Sequence, residues 1–99
     1  MDNAEFRESL KRPAPPNGLS AALQALWWDG KGDWEKAHEA AQNDEGPDGS
    51  WVHAYLHRKE DDLPNAKYWY RRANRAAGYG DLRREWESIV TWLLRSSGQ

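Results

Sequence analysis

The sequence predicts an all-α fold: antiparallel helical hairpins with a C-terminal capping helix. Three observations carry that expectation. Apolar residues recur at spacings of three and four through most of the chain. Short Gly/Pro/Asp clusters interrupt the pattern, and no stretch alternates apolar and polar residues as a half-buried strand does.

Each element follows from its own residues. Glu5 to Lys11 is a candidate short helix, after which Pro13-Ala14-Pro15-Pro16 imposes extended backbone, because proline fixes φ and disfavours helix at the residue before it. Residues 1–18 are therefore expected to form a flexible or extended strap. From Leu19, the side chains of Leu23, Leu26 and Trp27 continue one apolar stripe; Trp28 leaves it and is expected to be exposed. Gly30-Lys31-Gly32 ends this helix. Asp33 caps the next, Trp34 to Asn43, whose inner face is Trp34, Ala37, His38 and Ala41. Glu45 to Ser50 reads as a turn, with Asp48 or Ser50 capping a helix from Trp51 to Glu60.

Leu63-Pro64-Asn65 opens a further helix, since proline suits a first turn. Ala66, Trp69, Tyr70, Ala73 and Ala77 make its buried stripe, with Arg71, Arg72 and Arg75 facing outward and Gly78-Tyr79-Gly80 closing it. Asp81 caps the last helix, in which Leu82, Trp86, Ile89, Val90 and Leu93 point inward. The expected organisation is one helical domain over 19–95 and a disordered tail over 96–99.

Composition narrows the function classes. A chain of 99 residues supports one core, and no apolar run approaches the ~20 residues that a membrane span needs. The start, Met1 to Arg7, is acidic and polar and lacks a secretory pattern, so a cytoplasmic location is expected. Absence of cysteine excludes disulfides, thiolate nucleophiles and thiolate metal sites. Net charge is −2, split into −6 over residues 1–64 and +4 over residues 65–99. Arg71, Arg72, Arg75, Arg83 and Arg84 form a basic edge. With an overall pI of about 5.9 the edge reads as a solvated face pairing with Glu60, Asp61 and Asp62, and no nucleic-acid or membrane partner is expected. Gly30-x-Gly32 and Gly78-x-Gly80 lack the preceding strand of a phosphate cradle, and no cofactor is expected.

An internal offset of 29 residues superposes Ala25 on Ala54, Gly32-Asp33-Trp34 on Asp61-Asp62-Leu63, and Ala37 on Ala66. Each unit is then a helical hairpin, and its spacing resembles a tetratricopeptide or Sel1-like unit, with a shorter period and without the signature Trp and Gly of the first helix. Residues 19–75 carry the words Gly32-Asp33-Trp34-Glu35-Lys36-Ala37-His38-Glu39, Trp51-Val52-His53-Ala54-Tyr55-Leu56-His57-Arg58-Lys59-Glu60 and Asn65-Ala66-Lys67-Tyr68-Trp69-Tyr70-Arg71-Arg72-Ala73. These resemble a group of small bacterial hypothetical proteins. The resemblance implies a bacterial cytosolic protein and carries no mechanism.

Two features point to a site. His53 and His57 stand at i and i+4, which places their rings on one helix face, on the flank of an apolar sector of Trp51, Val52, Tyr55 and Leu56. His38, on the preceding helix, joins them only if the helix rotations allow it. Converged, the three imidazoles with Glu35 or Glu39 form a metal or general acid/base centre, His38, His53, His57 and Glu39 being the catalytic candidates. Unconverged, they are packing histidines satisfied by hydrogen bonds. The motif lacks the Glu that follows the first His in zinc-protease helices, so no metal is assigned from sequence.

Seven tryptophans exceed what so small a core hides easily. Trp28, Trp34, Trp51, His53, His57 and Trp69 are therefore the candidate ligand-binding residues, in a groove for a peptide or small molecule. The leading expectation is a small binding module. A small acid/base or hydrolytic enzyme, or a histidine metal site, is the alternative.

Overall fold

The computed structural model describes residues 1–96. Among these there are six α-helices and no strand: α1 Asn3–Ser9, α2 Ala21–Gly30, α3 Trp34–Gln42, α4 Pro47–Lys59, α5 Leu63–Arg72 and α6 Leu82–Ser96. The all-α class is as the apolar spacing predicts, and none of these helices is long and apolar enough to cross a membrane. Ser96 ends α6, so the tail expected over 96–99 otherwise lies outside the described residues.

The strap divides into two unlike parts. Residues 3–9 are helical because Asp2 and Glu5 form a reciprocal capping box, the Asp2 carboxylate accepting from Glu5 N–H at 2.8 Å. Phe6, fully buried, meets Trp86 of α6 at 5.8 Å between ring centroids. The first helix is therefore core, two residues earlier than its sequence pattern suggests. The proline segment 13–16 is not helical, and Lys31 Nζ ties the chain leading into it to the end of α2 by donating to the carbonyls of Leu10 (2.8 Å) and Arg12 (2.9 Å).

α2 is central. Ala22, Leu23, Ala25, Leu26 and Trp27 are all fully buried, more than one stripe, because α3, α4 and α6 pack around it. Trp28 is half-buried against the core, its ring edge-on to Trp27 and covered by Lys36 Nζ at 4.4 Å, which corrects the expected exposure. The tryptophan left most open is Trp92, 51% exposed, on the outer face of α6.

α4 starts earlier than expected. Pro47 occupies the first helical position, where its missing N–H costs nothing, so Asp48 and Ser50 lie inside the first turn and neither is the cap. Gly49 is required there: a Cβ would stand 2.0 Å from the Asp44 carbonyl oxygen, which crosses over the turn. α5 ends earlier than expected, at Arg72. Asn74 turns left-handed (φ 58°), and the bonds Asn74 N–H to Arg71 O and Arg75 N–H to Tyr70 O close the helix, leaving Ala77 exposed beyond it. Gly78 to Gly80 thus belongs to the connection and does not stop α5.

Two turns are built alike. After α2, Gly32 (φ 85°) is followed by Asp33, whose carboxylate accepts from Lys36 N–H; after α4, Asp61 (φ 64°) is followed by Asp62, which accepts from Asn65 N–H. In both the bond from the second turn residue spans back five residues, Asp33 N–H to Trp28 O and Asp62 N–H to His57 O, each 2.9 Å. These tight reversals lay α3 against α2 and α5 against α4. α6 then crosses α2 and α4 and is met by α1, so Trp86, Ile89, Val90 and Leu93 close one core with Phe6, Leu23, Leu26, Trp27, Val52 and Leu56. Indole N–H groups stitch it together: Trp27 to Ser9 Oγ, Trp86 to Leu26 O and Trp34 to Leu56 O, at 3.0–3.1 Å.

Candidate functional site

α4 presents two faces. Val52, Tyr55 and Leu56 enter the main core, while His53 and His57, one turn apart, face α3 and α5. Opposite them α3 contributes His38 and Trp34, and α5 contributes Trp69 and Asn65. The antiparallel run of α3 and α4 decides this: Trp34 at the start of α3 meets Leu56 near the end of α4, which sets His38, one turn on, level with His53.

The three imidazoles converge. His38 Nε2 lies 2.8 Å from His53 Nε2, one ring donating and the other accepting. Ring centroids are 4.5 Å apart for His38 and His53, 5.3 Å for His38 and His57, and 4.8 Å for His53 and His57. One ligand nitrogen from each ring falls within 4.8 Å of the other two. Two indoles wall the group: Trp69 stacks on His53 at 3.9 Å and 11°, and Trp34 stacks on His38 at 4.8 Å and 11°. His53 and His57 are 5% and 8% exposed, and His38 is half-buried.

The electrostatics follow from that burial. Desolvation first, then the neighbouring His38 and His57 and the Arg72 cation, push His53 down to about 4. Burial and His57 also lower His38, against the weaker opposing pull of Glu60 and Glu39. Both rings are thus held neutral and able to offer lone pairs at neutral pH. His57 Nδ1 is shielded from solvent and makes no hydrogen bond. Glu60 Oε1 stands 3.4 Å from it, within ion-pair reach of a protonated ring but outside hydrogen-bond geometry. At the other nitrogen, Asn65 Nδ2 lies 3.3 Å from His57 Nε2.

No family model, curated protein or solved structure matches this chain. Its site is therefore read from its own geometry.

Of the residues singled out in the sequence, His38, His53, His57, Trp34 and Trp69 are brought together. Trp28 and Trp51 are not: Trp28 packs on Trp27, and Trp51 lies under the Arg75 guanidinium at 3.8 Å. Arg75 is consequently not an outward-facing member of a basic edge, since Trp92 covers it as well at 4.5 Å. Among the described residues none of the five edge arginines pairs with Glu60, Asp61 or Asp62. Glu35 and Glu39 are exposed, and neither is hydrogen-bonded to a ring among the described residues.

Sequence reasoning missed Glu60 and Asn65. Glu60 was detectable as the i+3 neighbour of His57, while Asn65 reaches His57 only through the α4–α5 reversal. It also missed two polar networks rooted on α4. Tyr55 OH and Lys59 Nζ donate to the buried Asp29 carboxylate at 2.9 and 2.8 Å. Arg58 pairs with Glu85 at 2.7 Å and donates to Gly80 O, and Tyr70 OH also donates to Glu85. Burial and those carboxylates raise both phenols far above the ordinary tyrosine range. The run His57-Arg58-Lys59 therefore addresses three separate partner sets.

Proposed function

We propose that this chain is a small helical binding module, and that its ligand seats beside the stacked Trp69 and His53 rings. A cavity of about 390 Å³ opens there between the α3–α4 connection and α5, lined by Gln42, Asp44, Glu45, His53, Trp69 and Arg72. A flat aromatic surface next to a few oriented polar groups is the usual form of a small-molecule or peptide site. Two carboxylates against one guanidinium, beside an imidazole kept neutral, favour a ligand carrying a basic group, such as a small amine or a basic side chain of a peptide. The 3.9 Å stack of His53 on Trp69 is the observation that carries the reading, because it fixes both rings at the cavity wall.

The like-built reversals after α2 and α4, 29 residues apart, support the hairpin-repeat reading with its tetratricopeptide-like spacing. A bacterial, cytoplasmic setting belongs to the same proposal and is supported by the sequence resemblance alone. The test is a fragment screen by ¹⁵N–¹H NMR on metal-free protein, using small amines and short basic peptides. Shifts are expected at Gln42, Asp44, Glu45 and the Trp69 indole, and Trp69→Ala is expected to weaken the hits about tenfold or more while the helical CD signal persists. Hits scattered over other surfaces, or unaffected by Trp69→Ala, would sink the reading.

A further inference from the structure

A fully satisfied polar cluster needs no ligand, and this one is not fully satisfied. His38 and His53 share a single hydrogen bond between their Nε2 atoms, and His57 keeps a solvent-shielded Nδ1 with no hydrogen-bond partner. That Nδ1 faces Glu60 Oε1 at 3.4 Å, and what calls for an ion is the convergence of one nitrogen from each of the three rings within 4.8 Å of the others.

The donor set states which ion. We propose that His38, His53 and His57 bind one divalent transition-metal ion of the zinc class, with a fourth position left to water or an exogenous ligand. Neutral imidazole suits zinc, copper, nickel and cobalt, whereas magnesium and calcium require oxygen ligands, of which this cluster offers none. At metal–nitrogen distances near 2.0–2.1 Å, three tetrahedral donors sit about 3.3 Å apart. Here one pair is at 2.8 Å and all three lie within 4.8 Å, so opening the His38–His53 bond and closing the widest pair by up to about 1.5 Å meets that requirement.

The surroundings are those of a supported site. Trp34 and Trp69 clamp the planes of His38 and His53 and exclude water from one side of each ring. Glu60, facing His57 Nδ1, is placed to take that N–H and so leave Nε2 as the metal donor, the carboxylate–histidine–metal arrangement that fixes a ring's tautomer. Asn65, now 3.3 Å from that Nε2, is the group an ion would displace. Glu60 is then a positioning residue. This inference does not rest on the cavity's ligand: His53 is common to both, but His38 and His57 are not among the cavity's lining residues.

The experiment uses tag-free full-length protein, stripped with a chelator and dialysed. Calorimetric titration with zinc chloride at neutral pH is expected to give one ion per chain, cobalt chloride the visible absorption of a tetrahedral nitrogen site, and magnesium chloride no heat. His38→Ala and His57→Ala are each expected to weaken zinc roughly 100-fold or more with unchanged helical CD. Glu60→Gln is expected to weaken it about tenfold, since loss of an orienting partner costs 10- to 100-fold. Absence of zinc uptake by the wild-type protein overturns the proposal, as does uptake that survives both histidine variants. Because fragments are read on metal-free protein and zinc is read without fragments, failure of one leaves the other standing.

Discussion

The two faces of α4 are buried almost equally and are stabilised by opposite means. On the core face Val52 and Leu56 exclude water through contact alone, and their cost of removal is a cavity. On the other face His53 and His57 are as hidden, yet they bring polar nitrogens with them, and each nitrogen must be satisfied or cost free energy. One helix thus supplies the fold from one side and chemistry from the other. The contrast also separates their responses: the Val52 and Leu56 contacts should be blind to pH and metal, and the imidazole face sensitive to both.

The sharpest way to break this contrast is Leu56→Ala. Leu56 is fully buried among α2, α3 and α6 side chains, and its truncation is expected to cost about 2–5 kcal/mol in urea or thermal unfolding. Its backbone carbonyl would still accept from Trp34, so the imidazole resonances of His38 and His53 should keep their shifts and their pH response. If those resonances move with the core mutation, the two faces are one unit and the contrast fails.

Acid unfolding probes the other face. In the chelated protein, His53 titrates near 4, below the ordinary 6.5 of an unfolded imidazole, and His38 is displaced the same way. The unfolded chain therefore binds protons first as pH falls. Stability is fully present above about 6.5 and is lost as pH drops from there towards 4, by roughly 3 kcal/mol for His53, with His38 adding in the same sense. His38, His57 and Arg72 all act to lower His53, and Asp44 and Glu45, which share its cavity, do not reverse that direction. Urea midpoints that stay level between pH 7.5 and 4.5 would contradict this. A His38→Gln variant, which deletes one of the coupled rings, should flatten the slope.

What could be seen in the sequence divides along the same line. The core face was legible because periodicity reports burial: Leu23, Leu26, Trp27, Trp86, Ile89, Val90 and Leu93 all stand where their spacing puts them. Caps were legible where one side chain decides, as at Asp33. They were misread where backbone decides, as at Pro47 and at left-handed Asn74, because a missing N–H or a left-handed φ leaves only a weak trace in composition. The pair His53 and His57 needed only one helix. Adding His38 needed the rotation of α3 against α4, and adding Trp69 and Asn65 needed the reversal at Asp61, both tertiary facts. Trp51 was drawn into the site as one of the tryptophans beyond what the core hides, although a side chain two residues from His53 on a helix points some 200° around it.

That displaced tryptophan supplies the smallest test. Trp51 packs at the edge of both buried clusters and carries the Arg75 guanidinium 3.8 Å from its ring, and the same guanidinium lies 4.5 Å from the Trp92 ring of α6. The contact clips the chain after α5 to α4 and α6, at a place where Asn74 has already ended the helix. A cation held by two aromatic rings contributes about 1 kcal/mol when partly exposed, so Arg75→Ala should lower stability by that amount, far less than Leu56→Ala. Arg75→Lys should restore only part of it, because an ammonium lacks the flat surface that stacks on both indoles. Tryptophan fluorescence is expected to shift to the red as Trp51 and Trp92 gain water, while zinc affinity and the pH slope stay as in the parent. A change in either of those would show that the clip reaches the imidazole face through α5, and the boundary drawn along α4 would have to move.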